Sequence, residues 1–293
     1  MMNKIKIGII GYGNLGRGVE VGLNNHSDME IVGIFSRRDP KSLATKAPAY
    51  FLDDLVNFKD KIDVLILCGG SKTDIPKQGP ALIEHFNTVD AFDTHAQIPV
   101  YFEQMDGLAK KNNTVAVIAT GWDPGLFSMN RLIQEAILPK GTTYTFWGRG
   151  VSQGHSDAVR RVEGVKEAVQ YTVPDEAMIQ KILSGKEVTY NQKAAHNREV
   201  YVVLEDGADA LVVEKAIKEM PDYFVGYNTS VEFISEETYK RDHQDMPHGG
   251  RVIRQGKTST NATSVIDFSL ALESNPEFTA AVNIAYARAA YKL

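Results

Sequence analysis

From residue 5 to residue 121, short apolar runs rich in β-branched residues alternate with stretches of helical period, the pattern of a parallel sheet wrapped by crossover helices. The runs predict strands at Ile5 to Ile10, Glu30 to Phe35, Val64 to Cys68, Thr88 to Phe92 and Val115 to Ala119. Between the first two, Leu15, Val19 and Leu23 recur at helical spacing, which predicts a helix packed on the sheet with Arg17, Glu20 and Asn24 facing water. Ile98, Phe102, Met105 and Ala109 form a second such stripe. After Gly121 the segments lengthen and become more polar. Strands are predicted at Thr143 to Trp147, Glu199 to Glu205, Ser230 to Ile234 and Val252 to Gln255, and helices at Asp175 to Leu183 and Ala208 to Met220, where Pro221 stops the second.

The fold class read from this rhythm is α/β: a Rossmann-type doubly wound parallel sheet over residues 1–121, then a second, α+β domain over 122–275. The boundary falls at the "GWDPG" turn, and the last helix, near 276–293, has the option of packing back on the first domain.

A chain of 293 residues, 43% hydrophobic and 24% charged, has room for two cores. Its net charge of -5, with no basic run interleaved with aromatics, argues against a nucleic-acid partner. The start, "MMNKIKIGIIGYG", enters a strand pattern without a charged leader or long apolar stretch, so neither export nor membrane insertion is expected. The single cysteine, Cys68, excludes an internal disulfide and fits a reducing cytoplasm. No histidine pair has zinc-ligand spacing, and no metal is expected.

The stretch "IGIIGYGNLGRG" places Gly11, Gly13 and Gly16 in GxGxxG spacing between the first strand and the first helix. Gly11 suits the tight turn, Gly13 a close approach of backbone to a diphosphate, and Gly16 the packing of helix on strand. A diphosphate then lies at the helix N-terminus, where unbonded N–H groups and the dipole favour negative charge. An NAD site places an acid about twenty residues beyond the glycines to hold the ribose 2′-hydroxyl. Here "VGIFSRR" offers Ser36, Arg37 and Arg38 instead, which suits a 2′-phosphate and therefore NADP, unless the two arginines are simply solvated. In such a sheet ligands lie beyond the carboxyl ends of the strands. Those ends carry "CGGS" at 68–71, where Gly69 and Gly70 let the backbone run close to a dinucleotide, then Asp93, then "TGWDPG" at 120–125. Asp93 and Asp123 are thus aimed at the expected nicotinamide position, although Asp123 in Asp-Pro-Gly is equally a turn residue.

At "GYGNLGRGVE", "GIFSRRDP", "TDIP", "ATGWDPGLFS", "FWGRGVSQGHSDAVRR", "VQYTVP", "MPDYFVGY" and "MPHGG", the chain resembles the meso-diaminopimelate D-dehydrogenase family over essentially its whole length. The resemblance implies a homodimeric, NADP-dependent oxidoreductase of diaminopimelate and lysine biosynthesis. It reversibly deaminates the D-centre of meso-2,6-diaminopimelate to L-2-amino-6-oxopimelate and ammonia, with the second domain binding substrate and forming the dimer. By the same resemblance, Tyr12, Gly13, Asn14 and Leu15 line the pyrophosphate and Ser36, Arg37 and Arg38 hold the 2′-phosphate. Cys68, Gly69, Gly70 and Ser71, then Ala91, Phe92 and Asp93, then Thr120, Gly121, Trp122, Asp123 and Pro124 contact the rest of the cofactor. Asp93, Asp123, Trp147, Gln153, Gly154, Thr172, Arg198, His248 and Asn275 meet the substrate, with Asp93 and Asp123 as the catalytic pair.

That set suits a ligand with two ammonium and two carboxylate groups, which needs acids for the first and arginine, histidine and amide or hydroxyl donors for the second. Read from the residues alone, Arg198 is a surface arginine, His248 a loop or site residue, and Trp147 a core residue; His155 is left structural. The sequence ends at "AYARAAYKL", where longer family members continue, which leaves the breadth of substrate selection open. Two other readings remain: a different NADP-linked reductase of an amino or keto acid, and a non-catalytic NADP sensor. The sensor has no use for a zwitterion site.

Overall fold

Ile5, Ile7, Ile9 and Ile10 are all buried, the near-continuous apolar run of a strand covered on both faces. The structure, a computed structural model, describes residues 4–293; Met1, Met2 and Asn3 at the head of the "MMNKIKIGIIGYG" run lie outside them. The strand is β1 (Ile5–Ile10), followed by α1 (Asn14–Leu23), β2 (Met29–Ser36), β3 (Ala49–Phe51), β4 (Val64–Leu67), α2 (Ile75–Leu82), β5 (Asn87–Asp90), α3 (Ile98–Asn112) and β6 (Ala116–Val117). These strands form one parallel sheet in the order β3-β2-β1-β4-β5-β6, the doubly wound arrangement whose direction reverses between β1 and β4.

The second half of the chain gives α4 (Leu126–Ile137), β7 (Gly141–Trp147), β8 (Gly150–Val151), α5 (Gln153–Val159), β9 (Val165–Pro174), α6 (Glu176–Leu183), β10 (His196–Leu204), α7 (Ala210–Lys218), β11 (Thr229–Phe233), α8 (Glu236–Asp242), β12 (His248–Ser259), β13 (Ala262–Leu272) and α9 (Asn275–Lys292). Here the strands make two smaller sheets, β11-β10-β9-β8 and β13-β12-β7, with antiparallel pairing everywhere except between β10 and β11. The fold is therefore a Rossmann-type sheet plus an α+β second part. The chain divides into two compact units, 1–129 with 276–293, and 130–275. Among the described residues no helix is long and apolar enough to cross a membrane.

The core of the first unit joins the β1, β2 and β4 side chains to Val19 and Leu23 of α1 and to Ala280, Ile284, Ala287 and Ala290 of α9. Gly18 and Gly22 leave the space that α9 occupies: a Cβ on Gly18 would lie 3.1 Å from the Ala280 Cβ, and one on Gly22 2.8 Å from Ile284 Cδ1. In the second unit, Val200 and Val202 of β10 pack with Val213 and Ile217 of α7 and with Phe224.

Several expectations need correction. Glu20 does not face water; it accepts hydrogen bonds from Thr45 Oγ1 at 2.7 Å and from the amides of Lys46 and Ala47 at 3.0 and 3.1 Å, and so ties down the loop after β2. Phe102 is exposed, and Tyr101 takes its place in the buried face of α3 with Met105 and Ala109. The strands expected to run to Phe92 and Ala119 stop at Asp90 and Val117, because the amides of Phe92 and Ala119 both donate to the Asp90 carboxylate. β3, β8, β9 and β13, and helices α2, α4, α5 and α8, were not foreseen from the residue pattern.

Candidate active site

In the first unit, Gly11 turns the chain out of β1 at φ 88°, in the left-handed region that glycine tolerates. Gly16 is forced by contact: a Cβ there would sit 2.2 Å from the Gly11 carbonyl oxygen. Gly13 differs, since a Cβ on it would meet nothing within 4 Å, and it N-caps α1 without any side-chain bond to the first-turn amides. The start of α1, at Asn14 and Leu15, is thus an uncapped helix N-terminus with open space before it, which is what a phosphate requires. A cleft of about 340 Å³ runs from this loop along Ser36, Arg37 and Arg38 to Cys68, Gly69 and Gly70.

Ser36 is buried, and its Oγ accepts the Arg38 amide at 3.1 Å. One guanidinium N–H of Arg38 donates to the Tyr12 carbonyl, which aims the arginine at the glycine loop. Tyr12 is itself buried; its hydroxyl donates to Glu20 and lies 3.1 Å from the Ala44 carbonyl oxygen. Burial raises the Tyr12 hydroxyl above its usual pKa, and the Glu20 carboxylate beside it adds to the effect. Arg37 reaches across the cleft to Asp74 at 3.0 Å, and the other Asp74 oxygen accepts the Gly70 amide at 3.0 Å. Asp74 lies in the "TDIP" motif, yet the residue pattern assigned it no role. Cys68 is buried, and burial alone pushes its thiol pKa far up, so it serves as packing.

At the ends of β5 and β6 the first unit presents the two acids. Asp93 is exposed, and its amide donates to Ser71 Oγ at 2.8 Å, which links the loop after β4 to the loop after β5. Ala91 is half-buried and Phe92 buried against Tyr101, ring centroids 4.5 Å apart. Thr120 is buried, with its amide and Oγ1 both donating to the Asp90 carbonyl at 2.9 Å. Gly121 and Gly125 bridge to close the "GWDPG" turn, and the Leu126 amide returns to Gly121 at 3.0 Å as α4 begins. Trp122 is buried against Phe127, and Asp123 and Pro124 are half-buried. Asp123 therefore holds both of its expected positions, within the turn and at the carboxyl edge of the sheet.

The second unit gathers the other expected residues. Gly150, Thr172 and Arg198 are register partners across β8, β9 and β10, so they share one row of the sheet. Arg198 is not a surface residue. Only 8% exposed, it donates from Nη1 to Thr172 Oγ1 and lies over the Tyr227 ring at 4.2 Å; its Nε is buried without a partner, and it forms no ion pair among the described residues. Burial lowers its pKa, with Tyr227 acting the other way.

His248 packs against the same row, for a Cβ on Gly150 would be 2.3 Å from its Cγ. The Gly249 amide lies 2.8 Å from its Nδ1, and burial lowers its pKa, with the Gly249 backbone acting the other way. The segment 246–249 is stitched in place: the Val151 amide donates to Pro247 at 3.1 Å and the Gly148 amide to Gly249 at 2.8 Å. Gln153 Nε2 meets Met246 Sδ at 3.0 Å, and the Asn275 amide donates to the Met246 carbonyl at 3.1 Å, which brings both residues to that segment. Gly154 is exposed in the first turn of α5, with open space over its Cα.

Trp147 is half-buried rather than core; its amide donates to His196 Nε2 at 2.9 Å and its indole stacks on that ring, 5.1 Å between centroids. His196 donates from Nδ1 to the Gln192 carbonyl at 2.8 Å, and burial lowers its pKa. His155 lies closer to this chemistry than the sequence suggested. Its Nδ1 is 2.7 Å from Ser152 Oγ, and burial, with the Arg198 charge second, lowers its pKa to about 4. Asp90, Asp74, His196 and Tyr227 are the structural partners that residue pattern alone did not bring forward.

A glycine loop at the reversal point of a 3-2-1-4-5-6 parallel sheet, with serine and arginines ending β2, defines a Rossmann-type protein with a dinucleotide cleft. Comparison with known proteins narrows this. The family model "Diaminopimelic acid dehydrogenase C-terminal domain" matches residues 121–274. The meso-diaminopimelate D-dehydrogenase of Ureibacillus thermosphaericus is 56% identical, with 100% of this chain and 90% of that protein covered. Among solved structures, the Corynebacterium glutamicum DAP dehydrogenase in complex with DAP superposes with a TM-score of 0.90 at 46% identity, covering 100% of this chain and 90% of that one. An engineered D-amino acid dehydrogenase bound to NADP+ gives 0.83 at 44% identity, covering 99% and 90%. The chain belongs to the meso-diaminopimelate D-dehydrogenase family.

Proposed function

We propose that this chain is an NADP-dependent oxidoreductase that removes the amino group at the D-centre of meso-2,6-diaminopimelate, giving L-2-amino-6-oxopimelate and ammonia. The observation that carries the reading is Arg198. A buried guanidinium with an unbonded Nε and no acid partner is costly unless an anion completes it, and the unreacting carboxylate of the substrate is such an anion. Family membership supports a nicotinamide cofactor, and Ser36, Arg37 and Arg38 favour NADP over NAD.

In this reading the first-turn amides of α1 hold the pyrophosphate, and Ser36, Arg37 and Arg38 hold the 2′-phosphate. When bound, the nicotinamide supplies the acceptor for the hydride lost from the D-carbon. Asp93 and Asp123 offer carboxylate oxygens to the reacting amine and to the water that attacks the resulting imine. Arg198 and Thr172 fork onto the distal carboxylate, with His248 and the amides of Gln153 and Asn275 as further polar partners. Trp147, braced by His196, forms an apolar wall. The two ends of the substrate differ only in handedness, so anchoring the L-end leaves the D-hydrogen as the one presented for transfer.

Residues 1–121 serve the cofactor and 122–275 the substrate and a homodimer contact, in the cytoplasm. NADPH formation, followed with the meso, LL and DD isomers, tests the reading. Turnover of meso with LL inert is expected, and LL turnover equal to meso would refute it.

A further inference from the structure

Asp90 ends β5 fully buried, with a carboxylate that none of the roles above employs. Its Oδ1 accepts the Phe92 amide at 3.0 Å and the Ala119 amide at 3.2 Å, and its Oδ2 accepts the Tyr101 hydroxyl at 2.8 Å. One side chain therefore grips both segments that leave the carboxyl edge of the sheet, the one leading to Asp93 and the one leading to Asp123. Ala119 stands at φ 56°, a left-handed conformation uncommon for a residue with a Cβ, and the bond to Asp90 holds its amide there.

The grip is built from sequence choices on three elements. Tyr101 comes from α3, and it reaches Asp90 only because position 79 in α2 is glycine: a Cβ there would be 2.1 Å from the Tyr101 hydroxyl oxygen. The Asp90 carbonyl also receives the Thr120 amide and hydroxyl, and the Thr120 hydroxyl oxygen meets the side-chain amide of the buried Asn283 of α9. Burial acts to raise the Asp90 pKa, against which the three donors favour the charged form.

We infer that Asp90 is a positioning residue for the reaction proposed above: its carboxylate fixes the loops that carry Asp93 and Asp123, and so sets the placement of the two acids without itself meeting the substrate. The inference rests on the roles proposed for those acids. A shift of about 1 Å in groups that must meet a reacting centre costs on the order of a hundredfold in rate.

Three variants test this, each measured for kcat, KM, NADP+ affinity, melting temperature and amide hydrogen exchange. Asp90→Ala removes the acceptor. Asp90→Asn keeps an oxygen for both amides and turns its NH2 to the Tyr101 hydroxyl. Tyr101→Phe deletes only the bond to Oδ2. In Asp90→Ala, kcat should fall roughly a hundredfold while KM and NADP+ affinity stay near wild type, with faster exchange at Phe92 and Ala119. Asp90→Asn should restore most of kcat and the slow exchange, and Tyr101→Phe should fall between. Wild-type kcat in Asp90→Ala despite faster exchange would overturn the inference, as would a loss in Asp90→Asn equal to that in Asp90→Ala. If Asp90→Ala does not fold, unchanged kcat and exchange in Tyr101→Phe would overturn it. A wild-type protein inert towards every diaminopimelate isomer would refute the proposed function instead, and exchange at Phe92 and Ala119 would then decide whether Asp90 holds the loops.

Discussion

Arg198→Met separates what the buried guanidinium does for the fold from what it does for the substrate. In the protein alone the arginine contributes a bond to Thr172 and a contact over Tyr227, interactions worth about 1–2 kcal/mol each at this depth. Against them stands the cost of burying a charge whose Nε is unpaired, which is also about 1–3 kcal/mol. The terms nearly cancel, and methionine keeps the apolar stem, so the melting temperature should move by only a few degrees, at about 2–4 °C per kcal/mol for a chain of this size. With meso-diaminopimelate bound the balance differs. A desolvated carboxylate left without its fork costs about 3–5 kcal/mol, so kcat/KM should fall by roughly two to four orders of magnitude. D-alanine lacks a distal carboxylate, and its slow turnover should hardly change. Both substrates are assayed on both proteins, with NADP+ affinity as the control. An equal fall on the two substrates would refute the anchor and place Arg198 in the general architecture of the site.

Replacing Arg37 and Arg38 by neutral residues should weaken NADP+ by roughly tenfold or more per arginine, since each charged contact is worth about 1.5–3 kcal/mol, with little effect on NAD+; titration of both cofactors checks this, and equal losses would refute the 2′-phosphate role. Asp74→Asn removes the carboxylate that competes for Arg37 but keeps an oxygen for the Gly70 amide, so NADP+ should bind more tightly at low salt, and weaker binding would show that Asp74 serves mainly to hold the loop. His155 makes stability depend on pH: its pKa of about 4 lies below the ordinary 6.5, so the unfolded chain takes the proton first. Its contribution is complete above the ordinary value and declines as pH drops towards 4, by up to about 3 kcal/mol in total. Urea midpoints should show a shallower acid slope in His155→Gln, and superimposable slopes would count against this.

The nucleotide half was legible because its signals are local. A buried parallel strand reads as a run rich in isoleucine, Gly11 answers to a left-handed turn of its own backbone, and Gly16 to contact with the Gly11 carbonyl five residues away. The second half was less so. Ile266, Phe268 and Leu270 alternate with Asp267 and Ser269, a strand signal present in the residues, but β9 breaks that alternation, with Ala168 to Thr172 buried in succession on both of its faces. Arg198 looked like a surface residue because burial of an arginine depends on partners distant in sequence, Thr172 and Tyr227. Asp90 sits in "NTVDAF", where nothing local distinguishes a carboxylate that receives two amides from one that faces water. Its meaning depends on Ala119 and Tyr101, which only the fold brings to it.

The last helix has a consequence for how the molecule is made. Ile284, Ala287 and Ala290 of α9 belong to the same core as β1 and α1, so the first unit is assembled from two segments far apart in the sequence, with residues 130–275 synthesised in between. During translation the second unit has all its strands before α9 exists. The nucleotide-binding sheet meanwhile exposes the groove at Gly18 and Gly22 where Ala280 and Ile284 will lodge. Maturation of the cofactor half therefore waits on α9, and a nascent chain presents an open apolar seam to chaperones until α9 emerges and closes it.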